Sequence, residues 1–181
     1  MPGRLIVITG PSGSGKSTII QALLQKTDVQ FSISATTRSR RPGEKDQVDY
    51  LFVSPREFQD MVDNDRLLEW ASFNDRLYGT PAEPVKRRMA EGQDVLLDIE
   101  IQGARQIREK YPDALMIFIS PPSIEELERR LRQRGDTSAS DIQDRLEMAI
   151  ALNVSSDLFD HIVVNEVVDL AIAEVVDLIT S

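Results

Sequence analysis

Residues 10–17 read Gly10-Pro11-Ser12-Gly13-Ser14-Gly15-Lys16-Ser17, and they fill every fixed position of the phosphate-loop pattern G-x-x-x-x-G-K-[ST]. Glycine allows successive backbone N–H groups to turn towards one phosphate, because it tolerates positive φ and carries no side chain. The following helix adds its free N–H groups and the positive end of its dipole. We expect Lys16 to bring a charge to the outer phosphates, and the Ser17 hydroxyl to bind Mg²⁺.

The segments on either side of this loop have the order that the motif requires. Residues 5–8 form a short apolar run typical of a buried strand, and residues 17–24 have the pattern of an amphipathic helix. The alternative is a flexible glycine–serine turn without a ligand. Such a turn has no need of Lys16 and Ser17 after its last glycine, so we favour the phosphate-binding interpretation.

Composition narrows the possible functions. The 181 residues suit one domain, or a core with a small inserted lobe. The chain has no cysteine and a single histidine, His161, which excludes disulfides, thiolate metal sites and histidine-cluster metal sites. A net charge of −9 disfavours general nucleic-acid binding, although locally clustered arginines favour small anionic ligands held in a cleft. We see no secretory signal and no membrane-spanning run, so we expect a cytoplasmic protein without a membrane partner.

Beyond residue 80 the sequence alternates between helices and apolar strands. It predicts helices at 85–90, 103–110 and 167–179, and strands at 94–99, 115–119 and 162–165. The fully apolar strand at 115–119 favours a parallel sheet covered on both faces. The sequence therefore predicts an α/β fold with a parallel-sheet core.

Residues 32–80 have a different character. They hold predicted strands at 31–34, 48–53, 67–73 and 77–80, the last two joined by a turn at Asn74-Asp75. One helix runs from a capping box at residues 54–57 to about Asn64. Because long helical crossovers are missing, we expect a small lobe at 32–80, inserted into a core formed by 1–31 and 81–181.

Several charged residues are candidates for the site. The commonest fate of a run such as 38–41, with three arginines, is a solvated loop, but beside a phosphate loop we favour anion binding by the arginine forks. Asp98 ends a buried strand and is a candidate second Mg²⁺ partner; an ordinary strand-end acid is the alternative.

A second arginine-rich region begins at Ser123. A capping box at 123–126 opens a helix that carries Arg130 and Arg134, and a further helix opened by residues 140–143 carries Arg145. Two such helices joined by the small polar residues 135–139 are typical of a closing lid, at about 123–152. For Arg129 and Arg132 we favour a solvated helix face.

Taken together, these motifs resemble the guanylate kinases, a family of P-loop nucleoside monophosphate kinases, over nearly the full length. The segments that carry the resemblance are residues 10–17, 34–38 with Arg41, 48–50, 68–70, 78–80, 97–99 with Gln102-Gly103, and Arg130 with Arg134-Gly135. The middle segments match the family's nucleotide-monophosphate lobe, which makes the resemblance more specific than the phosphate loop alone.

The resemblance implies the reaction ATP + GMP ⇌ ADP + GDP, with Mg²⁺ accompanying ATP. It implies ATP binding by Gly10, Pro11, Ser12, Gly13, Ser14, Gly15, Lys16, Ser17, Thr18 and Asn165, and a metal site at Ser17 and Asp98. On the GMP side, Arg38, Arg41, Tyr50 and Tyr78 would hold the phosphate, and Ser34, Glu69 and Thr80 would read the base. Asp98 and Glu100 would also belong to the GMP-binding residues. Catalysis would use Lys16, Arg38, Arg130, Arg134 and Arg145.

Some alternatives stay open at this point. Tyr50 and Tyr78 could instead be strand aromatics that pack a core, and Glu100 stands where the family commonly has a second aspartate. A kinase for another small molecule could keep the phosphate loop, but it has no reason to keep Glu69. An inactive guanylate-kinase-like module that binds phosphopeptides is a further alternative, although such modules typically lack a working ATP loop. The sequence is compatible with a monomer or a homodimer.

Overall fold

The structure is a computed structural model that describes residues 1–73, 75–134 and 158–181, Arg134 by its backbone only. It contains two β-sheets with helices packed against them. The strands are β1 Leu5–Thr9, β2 Gln30–Phe31, β3 Ala35–Thr36, β4 Leu51–Phe52, β5 Leu67–Phe73, β6 Arg76–Pro81, β7 Val95–Asp98, β8 Leu115–Ser120 and β9 His161–Val164. The helices are α1 Lys16–Lys26, α2 Pro55–Asp63, α3 Ala82–Ala90, α4 Ile101–Lys110, α5 Ile124–Arg134 and α6 Val168–Thr180.

The larger sheet has five strands in the order β2-β7-β1-β8-β9, and every pair is parallel. Alternate residues of β1 enter two separate apolar clusters: Val7 packs on the side of α4, and Ile8 on the side of α1 and α6. Both faces are therefore covered, as a fully apolar parallel strand requires. The predicted α/β class with a parallel core is confirmed.

The smaller sheet has the order β4-β3-β6-β5 and uses only residues between 35 and 81. Helix α2 covers it with the fully buried Phe58. This helix begins with the predicted capping box, in which Ser54 and Glu57 bind each other's backbone N–H groups. Apart from Pro81, the sheet lies within residues 32–80, the segment expected to form an inserted lobe. The division of the chain into core and lobe remains a proposal.

Two predicted strands are wrong in their extent. The segment 31–34 is not one strand, because the N–H of Ser32 donates to Leu96 in the larger sheet while the carbonyl of Ser34 accepts from Leu51 in the smaller one. The chain thus crosses between the sheets there. The predicted strand at 48–53 shortens to Leu51–Phe52, since the preceding residues form a turn around Lys45.

The remaining elements lie within a few residues of their predicted bounds. The lid is predicted at about 123–152, and its part beyond residue 134, including the helix predicted from residue 140, lies outside the described residues, as does Asn74. None of the described helices combines the length and the apolar character needed to cross a membrane.

Candidate active site

The phosphate loop connects β1 to α1 and is shaped by its glycines. Gly15 has a φ of 94°, and a Cβ placed there would lie 2.2 Å from Nδ2 of Asn165. Lys16 folds back over the loop, because its Nζ donates to the carbonyl of Gly10 and lies 3.9 Å from Oδ1 of Asp98. The loop thus presents a cation beside a carboxylate at the carboxyl edge of the parallel sheet.

Asn165 supports this loop from the core. Its side chain is buried, and its Nδ2 donates to the backbone oxygen of Ser14 at 2.7 Å. The carbonyl of Asn165 accepts from Nη2 of Arg130 at 3.0 Å, and Arg130 also donates to Glu126 through Nε at 2.7 Å. Helix α5, strand β9 and the phosphate loop are therefore joined by one hydrogen-bonded chain.

A cavity of about 350 Å³ opens between the phosphate loop and the smaller sheet. Its lining is Pro11, Ser12, Gly13, Gly15, Lys16, Ser17, Thr18, Ser34, Arg38, Arg41, Tyr50, Glu69, Ala71, Phe73, Tyr78, Gly79, Asp98, Ile99 and Glu100. Most of the residues expected at a nucleotide site therefore share one cavity. Within the described part of the chain, Gly10, Ser14, Thr80, Arg130 and Asn165 lie outside this lining.

Arg38 is held in a fixed orientation by the loop between β3 and β4. Its Nη1 and Nη2 donate to the two carboxylate oxygens of Glu44 at 3.0 and 2.7 Å, and its guanidinium lies 5.3 Å from the ring centre of Tyr50. The backbone N–H of Arg41 donates to the same carboxylate at 2.7 Å. These hydrogen bonds, that of Arg38 first, lower the pKa of Glu44 to about 2.

The tyrosines stand together beside Arg38. The rings of Tyr50 and Tyr78 meet edge to face, 6.2 Å between centres. Burial raises the pKa of the Tyr50 hydroxyl, so this group stays a hydrogen-bond donor at neutral pH. Both rings line the cavity, which favours a role at the site over simple core packing.

Glu69 is a buried carboxylate in the middle of β5, only 3% exposed. Its Oε1 accepts from the hydroxyl of the fully buried Thr80 at 2.6 Å. Burial raises the pKa of Glu69 to about 7, and hydrogen bonds from Thr80 oppose that rise. The structure thus places Thr80 as the partner that orients Glu69.

Asp98 is the last residue of β7 and pairs with Ile8 of β1. Ile8 lies two residues before the start of the phosphate loop, so Asp98 lies beside that loop. Burial raises the pKa of its carboxyl group, and the charge of Lys16 opposes this. Ser17 lies in the first turn of α1 and lines the same cavity. Carboxylate and hydroxyl oxygens are the donors that Mg²⁺ prefers, so these two residues fit the predicted metal.

Of the other arginines predicted around the lid, two form ion pairs on the exposed face of α5. Arg129 pairs with Glu126 at 2.6 Å, and Arg132 lies 3.8 Å from Glu128, as expected for a solvated helix face. Arg134 ends the helix, and Arg145 lies outside the described residues.

Sequence reasoning missed several contributors. Glu44 lies six residues beyond Arg38 in a polar loop, where no motif distinguishes it from a solvated acid. Ala71, Phe73 and Ile99 line the cavity but carry no chemical signal. Gly103 belongs to a segment that carries the family resemblance, but its contact with the carboxylate of Glu69 is revealed only by the packing of α4 on β5.

A phosphate loop after the first strand of an all-parallel sheet, facing a cavity that Arg38 and Arg41 line, is the arrangement expected of a phosphate-loop kinase. A guanylate kinase family model matches residues 2–181. The guanylate kinase of Synechococcus sp. (strain JA-3-3Ab) is 49% identical over 173 residues, covering 95% of this chain and 80% of the relative. A guanylate kinase of Thermus thermophilus is 48% identical over 181 residues, covering 100% of this chain and 82% of the relative.

The crystal structure of guanylate kinase from Anaplasma phagocytophilum superposes with a TM-score of 0.79 at 30% identity, covering 99% of this chain and 85% of that one. The chain belongs to the guanylate kinase family. This confirms the resemblance drawn from the sequence and the expected class of enzyme, an ATP:GMP phosphotransferase. It does not favour the inactive phosphopeptide-binding module.

Proposed function

We propose that this chain transfers the γ-phosphoryl group of ATP to the phosphate of GMP within the cavity between its two sheets. The observation that carries the proposal is the shared lining: the phosphate loop with Lys16, the arginines Arg38 and Arg41, and the buried Glu69 border one space. A donor site and an acceptor site are thereby close enough for direct transfer.

The acceptor half suits a guanine nucleotide. We assign the GMP phosphate to Arg38, Arg41 and the hydroxyls of Tyr50 and Tyr78, since arginine forks bind phosphate oxygens bidentately. The Glu69 carboxylate can accept from the N1–H and 2-amino donors of guanine. Adenine offers no such pair, so bound AMP would leave a buried carboxylate without its partners, which is a strong rejection.

Ser34 and Thr80 complete the base-reading group, in different ways. Ser34 lines the cavity and supplies a hydroxyl, whereas Thr80 is buried and donates to Glu69. Glu100 lies in the lining next to Asp98, and we keep both on the GMP side of the site.

The donor half suits ATP. The backbone N–H groups of residues 10–15 and the first turn of α1 would bind the phosphates, with Thr18 and the cation of Lys16 alongside. Asn165 would contribute by holding Ser14, and through it the shape of the loop.

Mg²⁺ would be held by Ser17 and Asp98 together with ATP oxygens and water, the usual pattern for an ion that takes few protein ligands. When bound, the ion supplies neutralising charge to the phosphates. Lys16 would add a positive charge from the protein, since its Nζ lies 3.9 Å from Oδ1 of Asp98, beside the proposed metal site.

The reaction needs positioning and charge neutralisation more than covalent chemistry. The acceptor phosphate is ionised at neutral pH, so no general base is required. Lys16 and Arg38 would offset the charge of the migrating group, with Arg130, Arg134 and Arg145 joining as the lid closes. For Arg130, closure would exchange its present partners, Glu126 and the Asn165 carbonyl, for phosphate oxygens.

The test is a coupled ADP-release assay with Mg²⁺–ATP and GMP, AMP, CMP or UMP in parallel. We expect turnover with GMP and at least about 100-fold lower kcat/KM with the others. Lys16→Ala should lose most of its turnover while keeping its melting temperature. Equal use of the four monophosphates, or a Lys16→Ala variant with unchanged turnover, would contradict the proposal.

The cytoplasmic location, the monomeric or homodimeric state and the lack of membrane or nucleic-acid partners stay predictions from the sequence. So does the boundary of the GMP-binding lobe at residues 32–80, which the separate smaller sheet supports.

A further inference from the structure

Strand β5, which carries Glu69, lies at the edge of the smaller sheet. One side of its backbone therefore lacks a neighbouring strand, and unpaired edge groups need other partners. Helix α4 provides them. This helix follows β7 of the larger sheet, so it reaches from the core to the strand that reads the base.

Gln106 of α4 binds the edge of β5 as a strand residue would. Its Nε2 donates to the carbonyl of Trp70 at 2.6 Å, and its Oε1 accepts from the Trp70 N–H at 3.2 Å. The two bonds fix the orientation of the amide, because a flipped amide would place like groups together. One turn further along, Nζ of Lys110 donates to the carbonyl of Leu68 at 2.7 Å.

Gly103 lies on the same face of α4, three residues before Gln106 and seven before Lys110. A Cβ placed on it would lie 2.0 Å from Oε2 of Glu69 and 2.8 Å from its carboxyl carbon. The two residues that flank Glu69 are thus held by Gln106 and Lys110, while Gly103 leaves the space that the carboxylate occupies.

The position of the Glu69 carboxylate is then fixed by contacts on both of its oxygens. Oε1 accepts from Thr80 within the smaller sheet, and Oε2 lies against the backbone of α4. Because α4 begins directly after Glu100, this contact also fixes Glu69 relative to the acids at the carboxyl end of β7. The position of the base reader is therefore set by the core as well as by its own sheet.

We infer that the face of α4 formed by Gly103, Gln106 and Lys110 positions the Glu69 carboxylate and so determines how strictly the guanine 2-amino group is read. These are positioning residues, since they act through Glu69. The inference rests on the proposed role of Glu69 in binding GMP.

The decisive variant is Gly103→Ala. Alanine is the better helix former, so the helix itself is not weakened. The new methyl group would meet the far end of a side chain, which can rotate away more easily than backbone can shift. We expect the carboxylate to move and the KM for GMP to rise about tenfold or more, the usual consequence of losing a hydrogen bond to a charged group. The KM for ATP should change less than twofold.

Discrimination between GMP and IMP gives a readout that a purely structural role would not affect. IMP lacks the 2-amino group, so it makes one donor contact fewer to a carboxylate. In Gly103→Ala the ratio of kcat/KM for GMP to that for IMP should fall about tenfold. Gln106→Leu should lower it several-fold. Arg105→Ala, an exposed position on the same helix, is the control and should leave the ratio unchanged.

A shorter acidic side chain at position 69 provides a rescue test. Glu69→Asp withdraws the carboxylate by one methylene, so adding Gly103→Ala to this variant should change the GMP to IMP ratio much less than it does in the wild type. A full additional loss in the double variant would show that alanine at 103 acts elsewhere.

The two proposals can fail separately. If Glu69→Ala raises the KM for GMP and ATP equally, the proposed role of Glu69 is wrong, and the positioning role with it. Suppose instead that Glu69→Ala raises the KM for GMP and leaves the KM for ATP unchanged. If Gly103→Ala and Gln106→Leu then keep the wild-type ratio of kcat/KM for GMP to that for IMP, only the positioning role is overturned.

Discussion

At the scale of single residues, Glu69 combines deep burial with an ionisable group. A carboxylate with 3% exposure loses most of its hydration, and its pKa rises to about 7 because the Thr80 hydroxyl compensates only in part. The proposed reading of guanine by Glu69 requires the charged form, because a protonated carboxyl group offers one donor where an acceptor is needed. The residue is thus close to its titration midpoint at neutral pH.

We predict that the KM for GMP rises by about tenfold between pH 8 and pH 6, as Glu69 becomes protonated through a pKa near 7. Steady-state kinetics at saturating ATP measure it. The GMP phosphate titrates near the lower end of this range, so the Glu69→Gln variant is the control: it keeps the phosphate titration and loses that of residue 69. Parallel pH profiles for the two proteins would rule the explanation out.

The same burial predicts a pH-dependent stability. Because the pKa of Glu69 is raised on folding, the folded state binds the proton more tightly, and stability is lost as pH rises from about 4.5 to 7. Glu69→Gln removes this loss. Without nucleotides, its free energy of unfolding in urea should exceed that of wild type by up to about 3 kcal/mol above pH 7, and by little near pH 4.5. A constant difference across this range would argue against a titrating Glu69.

Individual candidate residues could be predicted where they belong to a sequence motif of neighbouring residues. The phosphate loop and Ser17 follow from spacing alone, and Glu69 and Arg38 follow from the family resemblance. Gly103 and Glu44 could not be assigned, because their importance depends on partners 34 and 6 residues away and on packing that no local pattern encodes.

At the scale of elements, the loop between β3 and β4 carries most of the proposed phosphate-binding residues of the acceptor site. Glu44 binds both the side chain of Arg38 and the backbone of Arg41, while the ring of Tyr50 lies under the Arg38 guanidinium. Since one carboxylate binds the guanidinium of Arg38 and the backbone of Arg41, the proposed phosphate-binding geometry depends on a residue that need not contact the nucleotide.

We predict that Glu44→Gln raises the KM for GMP about tenfold, because the amide lacks the charge and cannot accept at both atoms. The KM for ATP should stay within twofold. Asp60→Asn is the matched control, since it removes the exposed partner of Arg66, an ion pair of the kind that contributes little. Similar kinetics for the two variants would show that Glu44 does not order the arginines.

The strands that are continuous apolar runs were predicted close to their true bounds, whereas the short strands of two residues were not. β1 and β8 are buried on both faces, and their composition alone identifies them. The segment 30–36 alternates like a single strand, yet Ser32 bonds to the larger sheet and Ser34 to the smaller one. Alternation shows which side chains are buried but not in which sheet, so this division required the tertiary structure.

For the molecule as a whole, the proposed ATP site depends on chain segments that are far apart in sequence. The amide of Asn165, just after β9, holds Ser14 in the phosphate loop, 151 residues away. Its carbonyl binds Arg130 of α5, which is expected to belong to the lid. The shape of the phosphate loop and the position of α5 are therefore linked through one buried residue.

We predict that Asn165→Ala raises the KM for ATP by about tenfold and changes the KM for GMP less than twofold. The carbonyl of Ser14 would lose its buried donor, at a cost of about 1–3 kcal/mol. Asn165→Asp should be worse than alanine, because it keeps the size but sets a carboxylate against that carbonyl and places negative charge below the ATP phosphates. Val164→Ala, an exposed neighbour on β9, controls for a general weakening of the strand.

The order of the variants decides the interpretation. If the loop must be held in its phosphate-binding shape, the KM for ATP should increase from wild type to Asn165→Ala to Asn165→Asp, with melting temperatures measured alongside. If Asn165 only fills space, the KM for ATP should be higher in Asn165→Ala than in Asn165→Asp, because aspartate preserves the volume. Equal losses for ATP and GMP would instead show that β9 supports the whole cavity rather than the donor half.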